Sequence, residues 1–255
     1  MKRMIFLIYG VVAYAAFALT FGYAICFIGN LFVPKTIDSG AQSDLLTSVA
    51  INALLLSLFA AQHSIMARKG FKRVWTQIVP KQIERPTYVL ASSAALALLL
   101  WQWRPLPQVV WEVHGIAAGV LSVTFWLGWA LLLTSSFLIN HFELFGLQQV
   151  WGYFRNKRYG GTKFRTPILY RMVRHPLYLG FMIAFWSAPR MSVGHLIFSL
   201  GCSGYILLGI ALEERDLVAE HGESYRRYRE QVPMLVPYPK MNSGGTDRAD
   251  SVWDA

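Results

Sequence analysis

Two stretches of this chain, residues 4–32 and 113–139, pass without one Asp, Glu, Lys or Arg. A helix crosses the hydrocarbon layer of a bilayer with about 20 mostly apolar residues. Lipid admits only structures that satisfy their own backbone polar groups, which means helices or closed barrels. The apolar runs here are continuous rather than alternating, which argues against a barrel. The expected fold class is therefore all-α, a polytopic membrane helical bundle of about six apolar segments, five or six of them spanning. Composition agrees: 55 % of the residues are hydrophobic and only 15 % are charged. The net charge of +10 suggests nucleic acid at first sight, but the basic residues gather in loops between apolar runs. That is the positive-inside pattern of a membrane protein, so no nucleic-acid partner is expected. Cys26 and Cys202 both sit in apolar runs and show neither a disulfide framework nor metal spacing.

Taken in order, residues 4–32 form helix one, far too long for the apolar core of a signal peptide. Residues 33–44 read as an external loop and 45–61 as helix two, ending at Gln62-His63-Ser64. Arg68, Lys69, Lys72, Arg73, Lys81 and Arg85 then mark a cytoplasmic loop. Residues 87–101 are helix three, followed by a tight connection at Arg104-Pro105-Leu106-Pro107, and 113–139 are helix four. From Asn140 the chain turns polar. Arg155, Lys157, Arg158, Lys163, Arg165, Arg171 and Arg174 place that segment in the cytoplasm. Residues 168–188 and 192–212, separated by Pro189-Arg190, form a helical hairpin. Six crossings leave both termini cytoplasmic. Residues 217–232 form an amphipathic cytoplasmic helix, and 241–255 are expected to be disordered. The organisation is N-terminal membrane helices over 1–140, a cofactor-binding region over 141–240, and a tail.

Two polar clusters stand out against this background. Arg174-His175-Pro176-Leu177-Tyr178-Leu179-Gly180 joins a basic segment to an apolar one. Pro176 suits the first turn of a helix, where its missing N–H is not needed, and a helix N-terminus attracts anions. Tyr178 lies one turn beyond Arg174, and Gly180 permits close approach to the backbone. Glu213-Glu214-Arg215-Asp216 closes the next apolar run. Two hairpin legs of about 15–17 residues, each rising roughly 25 Å, would bring the clusters together on one side. A cationic wall facing an acidic wall suits a ligand with a carboxylate, an ammonium, a ribose and an adenine. S-adenosylmethionine is such a ligand.

These motifs, with Gly222-x-x-Tyr225-x-x-Tyr228 after them, resemble the isoprenylcysteine carboxyl methyltransferase family of membrane enzymes, which use S-adenosylmethionine. Upstream, Gln62-His63-Ser64-x-Met66-Ala67-Arg68, Glu84-Arg85-Pro86-Thr87-Tyr88 and Asn140-His141-Phe142-Glu143-Leu144-Phe145-Gly146 resemble a narrower group, the bacterial methanethiol S-methyltransferases related to NnrU-type proteins. The resemblance implies methyl transfer from S-adenosylmethionine to methanethiol, giving dimethyl sulfide and S-adenosylhomocysteine, in a bacterial inner membrane. It implies cofactor contacts from His175, Tyr178, Leu179, Gly180 and Glu213. Tyr225 and Arg229 join them if the amphipathic helix folds over the cofactor as a lid; the alternative is that this helix lies on anionic lipid.

A sulfonium methyl is already activated, so the protein must chiefly align a sulfur nucleophile, a service worth about 7–11 kcal/mol. The thiolate is the competent nucleophile. Glu214, Asp216, His141 and His63 are the candidate bases, with Arg174 as cationic stabiliser. Asn140 and His63 are candidates for the substrate end, although His63 reads first as structural glue for helix three. Asp216 with Arg215 also reads as a surface ion pair, and His114 and His195 as interfacial residues. Two other readings remain at this point: methylation of another small or lipophilic acceptor, or a non-catalytic membrane protein of haem-binding or assembly type, with His63 and His141 as the axial pair. No protein partner and no metal are indicated.

Overall fold

The computed structural model describes residues 1–157 and 167–237. The expected disorder of 241–255, and the basic residues Arg158, Lys163 and Arg165, lie outside these. In chain order the elements are α1 (Lys2–Ile28), α2 (Leu45–Ala67), α3 (Lys69–Trp75), α4 (Lys81–Gln102), β1 (Val109–Glu112), α5 (Gly115–Leu138), α6 (His141–Leu144), α7 (Leu147–Phe154), α8 (Ile168–Met172), α9 (Pro176–Trp186), β2 (Arg190–Ser192), α10 (Val193–His221) and α11 (Glu223–Gln231).

The protein is a polytopic all-α membrane bundle. α1, α2, α4, α5 and α10 are each long and apolar enough to cross a bilayer. Much of their apolar surface stays exposed, including Ile5, Leu19, Leu54, Ile116 and Leu208, as expected for helices whose outer face meets lipid. α9 packs chiefly on α5, α4 on α1 and α2, and α10 on α2 and α9. Phe27, Leu99, Trp103, Phe125, Trp129, Phe185 and Phe198 fill the space between them. Inside α2, the fully buried Asn52 exchanges two hydrogen bonds with the backbone of Arg104, at 2.7 and 2.8 Å. Its amide is thereby satisfied, as a polar group at bilayer depth must be.

Three expectations change. The run at 168–188 is not one helix: it breaks at Val173–His175 into α8 and an α9 of only 11 residues. Eleven residues rise about 16 Å, half a bilayer. The rest of the crossing is extended chain through Ser187, Ala188 and Pro189 into β2, which pairs antiparallel with β1. Non-helical backbone at this depth is tolerated where protein covers it, and both Ser187 and Ala188 are buried. Its carbonyls find donors: Phe185 O accepts from His195 Nε2 at 3.0 Å and Ser199 Oγ at 2.8 Å, and Ala188 O from Trp111 Nε1 at 3.1 Å. His195 is thus a buried partner of the broken helix end rather than an interfacial residue. Second, α10 runs past residue 212 to His221, so 217–232 is not one amphipathic helix. Gly222, at φ 58°, turns the chain into α11. Third, α2 and α4 extend at their basic ends, taking Gln62-His63-Ser64 and Pro86 into helices.

α5 and α9 approach closely enough to require glycine. A Cβ on Gly180 would stand 2.7 Å from Gly128 O, and one on Gly128 would stand 2.7 Å from the Ala184 backbone nitrogen. Gly-x-x-x-Ala on α9 against Gly128 is the small-residue packing that lets helices in lipid associate without a hydrophobic driving force.

Candidate functional site

α9 and α10 bring the two polar clusters into contact. Pro176 opens α9, leaving Arg174 and His175 just outside its first turn. α10 is polar at its last third, so Glu213 and Glu214 emerge beside them. Glu214 is 7 % exposed and His175 5 %; charges so buried persist only when paired and hydrogen-bonded. Glu214 Oε1 accepts from Arg174 Nε at 2.7 Å and stands 3.0 Å from His175 Nε2, while Oε2 is 3.2 Å from Arg229 Nε. Tyr178 on α9 donates its hydroxyl to Glu213 Oε2 at 3.0 Å.

Arg174 serves the fold more than the site. Its Nη1 donates to the carbonyls of Arg229 and Val232 at 2.8 and 2.6 Å, in addition to the bond to Glu214. The backbone N–H groups of Arg174 and His175 donate to Pro233 and Met234 O, at 2.9 and 3.2 Å. The donors expected to receive a ligand carboxylate are thus engaged by the segment after α11. Pro233 is the signal for this segment, because a proline ends α11 and leaves its last carbonyls for other donors. Arg229, whose side chain is 45 % exposed, is open to a ligand. It lines a cavity of about 440 Å³ together with Glu214, Arg215, Ile210, Val218 and Met234.

α11 closes over this end. Tyr225 and Tyr228 are buried against Leu217 and Val218, and Tyr228 donates to Tyr170 O at 2.5 Å. Burial, and secondarily the charge of Glu214, pushes the Tyr225 phenol up to about 12. Burial raises Tyr170 as well, with Glu213 adding to it. Both phenols stay protonated near neutral pH. Tyr170 and Met234 were not anticipated.

The remaining candidates fall elsewhere. Asp216 points to another face of α10 and pairs with Arg68 at 3.1 Å, both well exposed. Gly180 faces α5, which fills the space a cofactor would need, and Leu179 is packed against the core. His141 and Asn140 belong to a separate cluster at the end of α5. His141 is buried, with Tyr14 Oη 2.8 Å from Nε2 and Ser136 Oγ 2.9 Å from Nδ1, and it stacks on Phe137 at 4.3 Å. Desolvation holds its pKa below the usual value. Asn140, in the left-handed region at φ 86°, caps α6 and bonds Glu143 and Gln148. His63 lies inside the bundle, its Nε2 2.9 Å from Tyr88 Oη and its Nδ1 3.3 Å from Ser92 Oγ. With His63 and His141 each held by hydroxyls in different clusters, the axial haem pair has no geometric basis. Among the described residues there is no metal-binding group of His, Cys, Asp and Glu.

Comparison with known proteins gives the same direction. The model of the NnrU protein family matches residues 52–233. The methanethiol S-methyltransferase of Mycobacterium tuberculosis is 53 % identical over 240 residues, covering 94 % of this chain and 98 % of that protein. Methanethiol S-methyltransferase 2 of Bradyrhizobium diazoefficiens is 52 % identical, covering 92 % of this chain and 91 % of that one. The Crocosphaera subtropica methanethiol S-methyltransferase is 51 % identical over 93 % of this chain and 94 % of its own. No solved structure matches significantly. On this evidence the chain belongs to the NnrU protein family, among the methanethiol S-methyltransferases that it matches along nearly its whole length.

Proposed function

We propose that this protein transfers a methyl group from S-adenosylmethionine to methanethiol, releasing dimethyl sulfide, S-adenosylhomocysteine and a proton. The observation that carries the reading is the meeting of His175 and Glu214, with Arg229, at the wall of a small cavity, in a chain half identical to enzymes of that name. The residues present fit the donor. The cavity volume falls within the roughly 300–1,000 Å³ of small-molecule sites. Its wall mixes apolar groups with Arg215 and Arg229, which would hold the donor's carboxylate. One carboxylate, Glu214, faces the two guanidinium groups of Arg174 and Arg229, so the cluster has positive charge to spare for an anion. Exposed Glu213, with Tyr178 fixing one of its oxygens, would hold the ammonium or ribose hydroxyls. When bound, the sulfonium supplies an already activated methyl group.

The chain then has to orient its acceptor and exclude water. α11 and the segment after it close the cavity, and the Glu214 cluster locks them to α9. The density of basic residues around this end supports a cytoplasmic placement by the positive-inside rule.

The test is purified protein with S-adenosylmethionine and methanethiol, followed by headspace analysis. Dimethyl sulfide and S-adenosylhomocysteine should appear in equal amounts. Failure of the wild type to bind S-adenosylhomocysteine would overturn the reading. A one-carbon acceptor implies a small pocket, and one methylene discriminates by only about 1–3 kcal/mol. Ethanethiol should therefore react more slowly but measurably, and long-chain thiols should not react at comparable rates.

A further inference from the structure

The mechanism needs a group to take the thiol proton, and the cluster at Glu214 is poorly suited to it. Both oxygens of Glu214 are engaged by cations or imidazole. Glu213 takes the Tyr178 hydroxyl. Asp216 faces Arg68 on another side of α10. A second polar cluster lies nearby, inside the bundle, where α2, α4 and α10 converge. Its members are His63 and Ser64 on α2, Tyr88 and Ser92 on α4, and Tyr205 on α10. Ser64 Oγ and Tyr205 Oη are 3.0 Å apart, and the His63 ring stacks on Phe59 and stands edge-on to Tyr205. Tyr205 stands about two turns before Glu213 on the same helix, α10, which joins this cluster to the donor end. His63, Tyr178 and Tyr205 are each half-buried.

Polar side chains at this depth are costly, and an ionisable one there marks function by default. Stacking on Phe59 fixes the plane of the histidine. Two hydroxyls meet its nitrogens: Tyr88 Oη stands 2.9 Å from Nε2 and 3.1 Å from Nδ1, and Ser92 Oγ stands 3.3 Å from Nδ1. A thiol that displaced the Tyr88 hydroxyl would meet an imidazole nitrogen able to take its proton.

We infer that the cluster of α2, α4 and α10 is the acceptor pocket, with His63 as the base that takes the thiol proton. The inference rests on the methyltransferase reading and deepens it. The S–H bond breaks and its proton passes to the imidazole. The sulfur electron pair forms the new S–CH3 bond, and the bond from that methyl to the sulfonium breaks with its electrons left on the departing sulfur. The proton returns later to water. Tyr205 and Ser64 are positioning residues that narrow the pocket.

An acceptor that is already anionic separates this from a structural role. Methaneselenol is a much stronger acid than methanethiol and is ionised at neutral pH, so it needs no base. In His63→Gln, methanethiol turnover should fall by about 10²–10⁴-fold, the usual worth of general-base catalysis, while methaneselenol turnover falls at most a few-fold. S-adenosylhomocysteine binding should stay as in the wild type. Equal losses on both acceptors, or no loss on either, would overturn the inference while leaving the methyltransferase reading intact. If His63→Gln no longer binds S-adenosylhomocysteine, Ser92→Ala carries the same comparison, since it removes one of the two hydroxyls on the imidazole but keeps the ring. A smaller loss confined to methanethiol is then expected, and an equal loss on both acceptors overturns the inference.

Discussion

At the scale of single residues, the site turns on Glu214. One carboxylate holds α9 through Arg174 and His175 and holds α11 through Arg229. Removing it leaves the buried Arg174 guanidinium without its carboxylate. Breaking such a pair costs about 3–5 kcal/mol. Glu214→Ala should therefore lower the thermal midpoint in detergent and abolish S-adenosylhomocysteine binding, read together by thermal shift with and without ligand. Asp216→Asn gives the opposite result. Its partner Arg68 is exposed, and such pairs are worth about 0–1 kcal/mol, so activity should stay within about twofold; a large loss in the headspace assay would return Asp216 to the site. The residue motifs were legible because a proline at a helix start and paired acids at a helix end have direct physical meanings. The roles within them were less so. Arg174 reads as a free cation in sequence, and only the fold shows its donors spent on Val232 and Arg229 carbonyls. Gly180 reads as a place where something approaches, and the approaching group is Gly128 of α5.

At the scale of elements, apolar length located the five spans, because lipid leaves a helix little choice. It could not show that the crossing after Pro176 is half helix and half extended chain, since both halves are equally apolar. The break is held by His195 and Ser199 at one carbonyl. His195→Ala leaves Phe185 O with Ser199 alone and should cost about 0.5–1.5 kcal/mol, measured as a lower midpoint of unfolding. The α5–α9 contact is less forgiving. Gly180→Val places a branched side chain against backbone atoms less than 3 Å from the Cβ, and overpacking typically costs about 1–3 kcal/mol or more. Because α9 carries His175 and Tyr178, the same change should weaken S-adenosylhomocysteine binding, although Gly180 faces away from the cavity.

At the scale of the whole molecule, stability should depend on pH through His141. Burial holds its pKa below the unfolded value of about 6.5. The unfolded chain therefore binds the proton more readily, and stability rises with pH. The contribution is fully present above about pH 6.5 and is lost as pH falls through the lower folded value. The midpoint of unfolding should decline on acidification, and His141→Gln should flatten that part of the curve; an unchanged slope would assign it to other groups.

The tether between the backbone of residues 174–175 and the carbonyls of 233–234 bears on biogenesis. Those carbonyls leave the ribosome after every span has been made. Insertion into the bilayer can thus be complete while the catalytic end still gapes, and a product stopped after His221 would reside in the membrane with all its spans and no activity. A protease that cuts at the Gly222 turn would silence the enzyme without dislodging it.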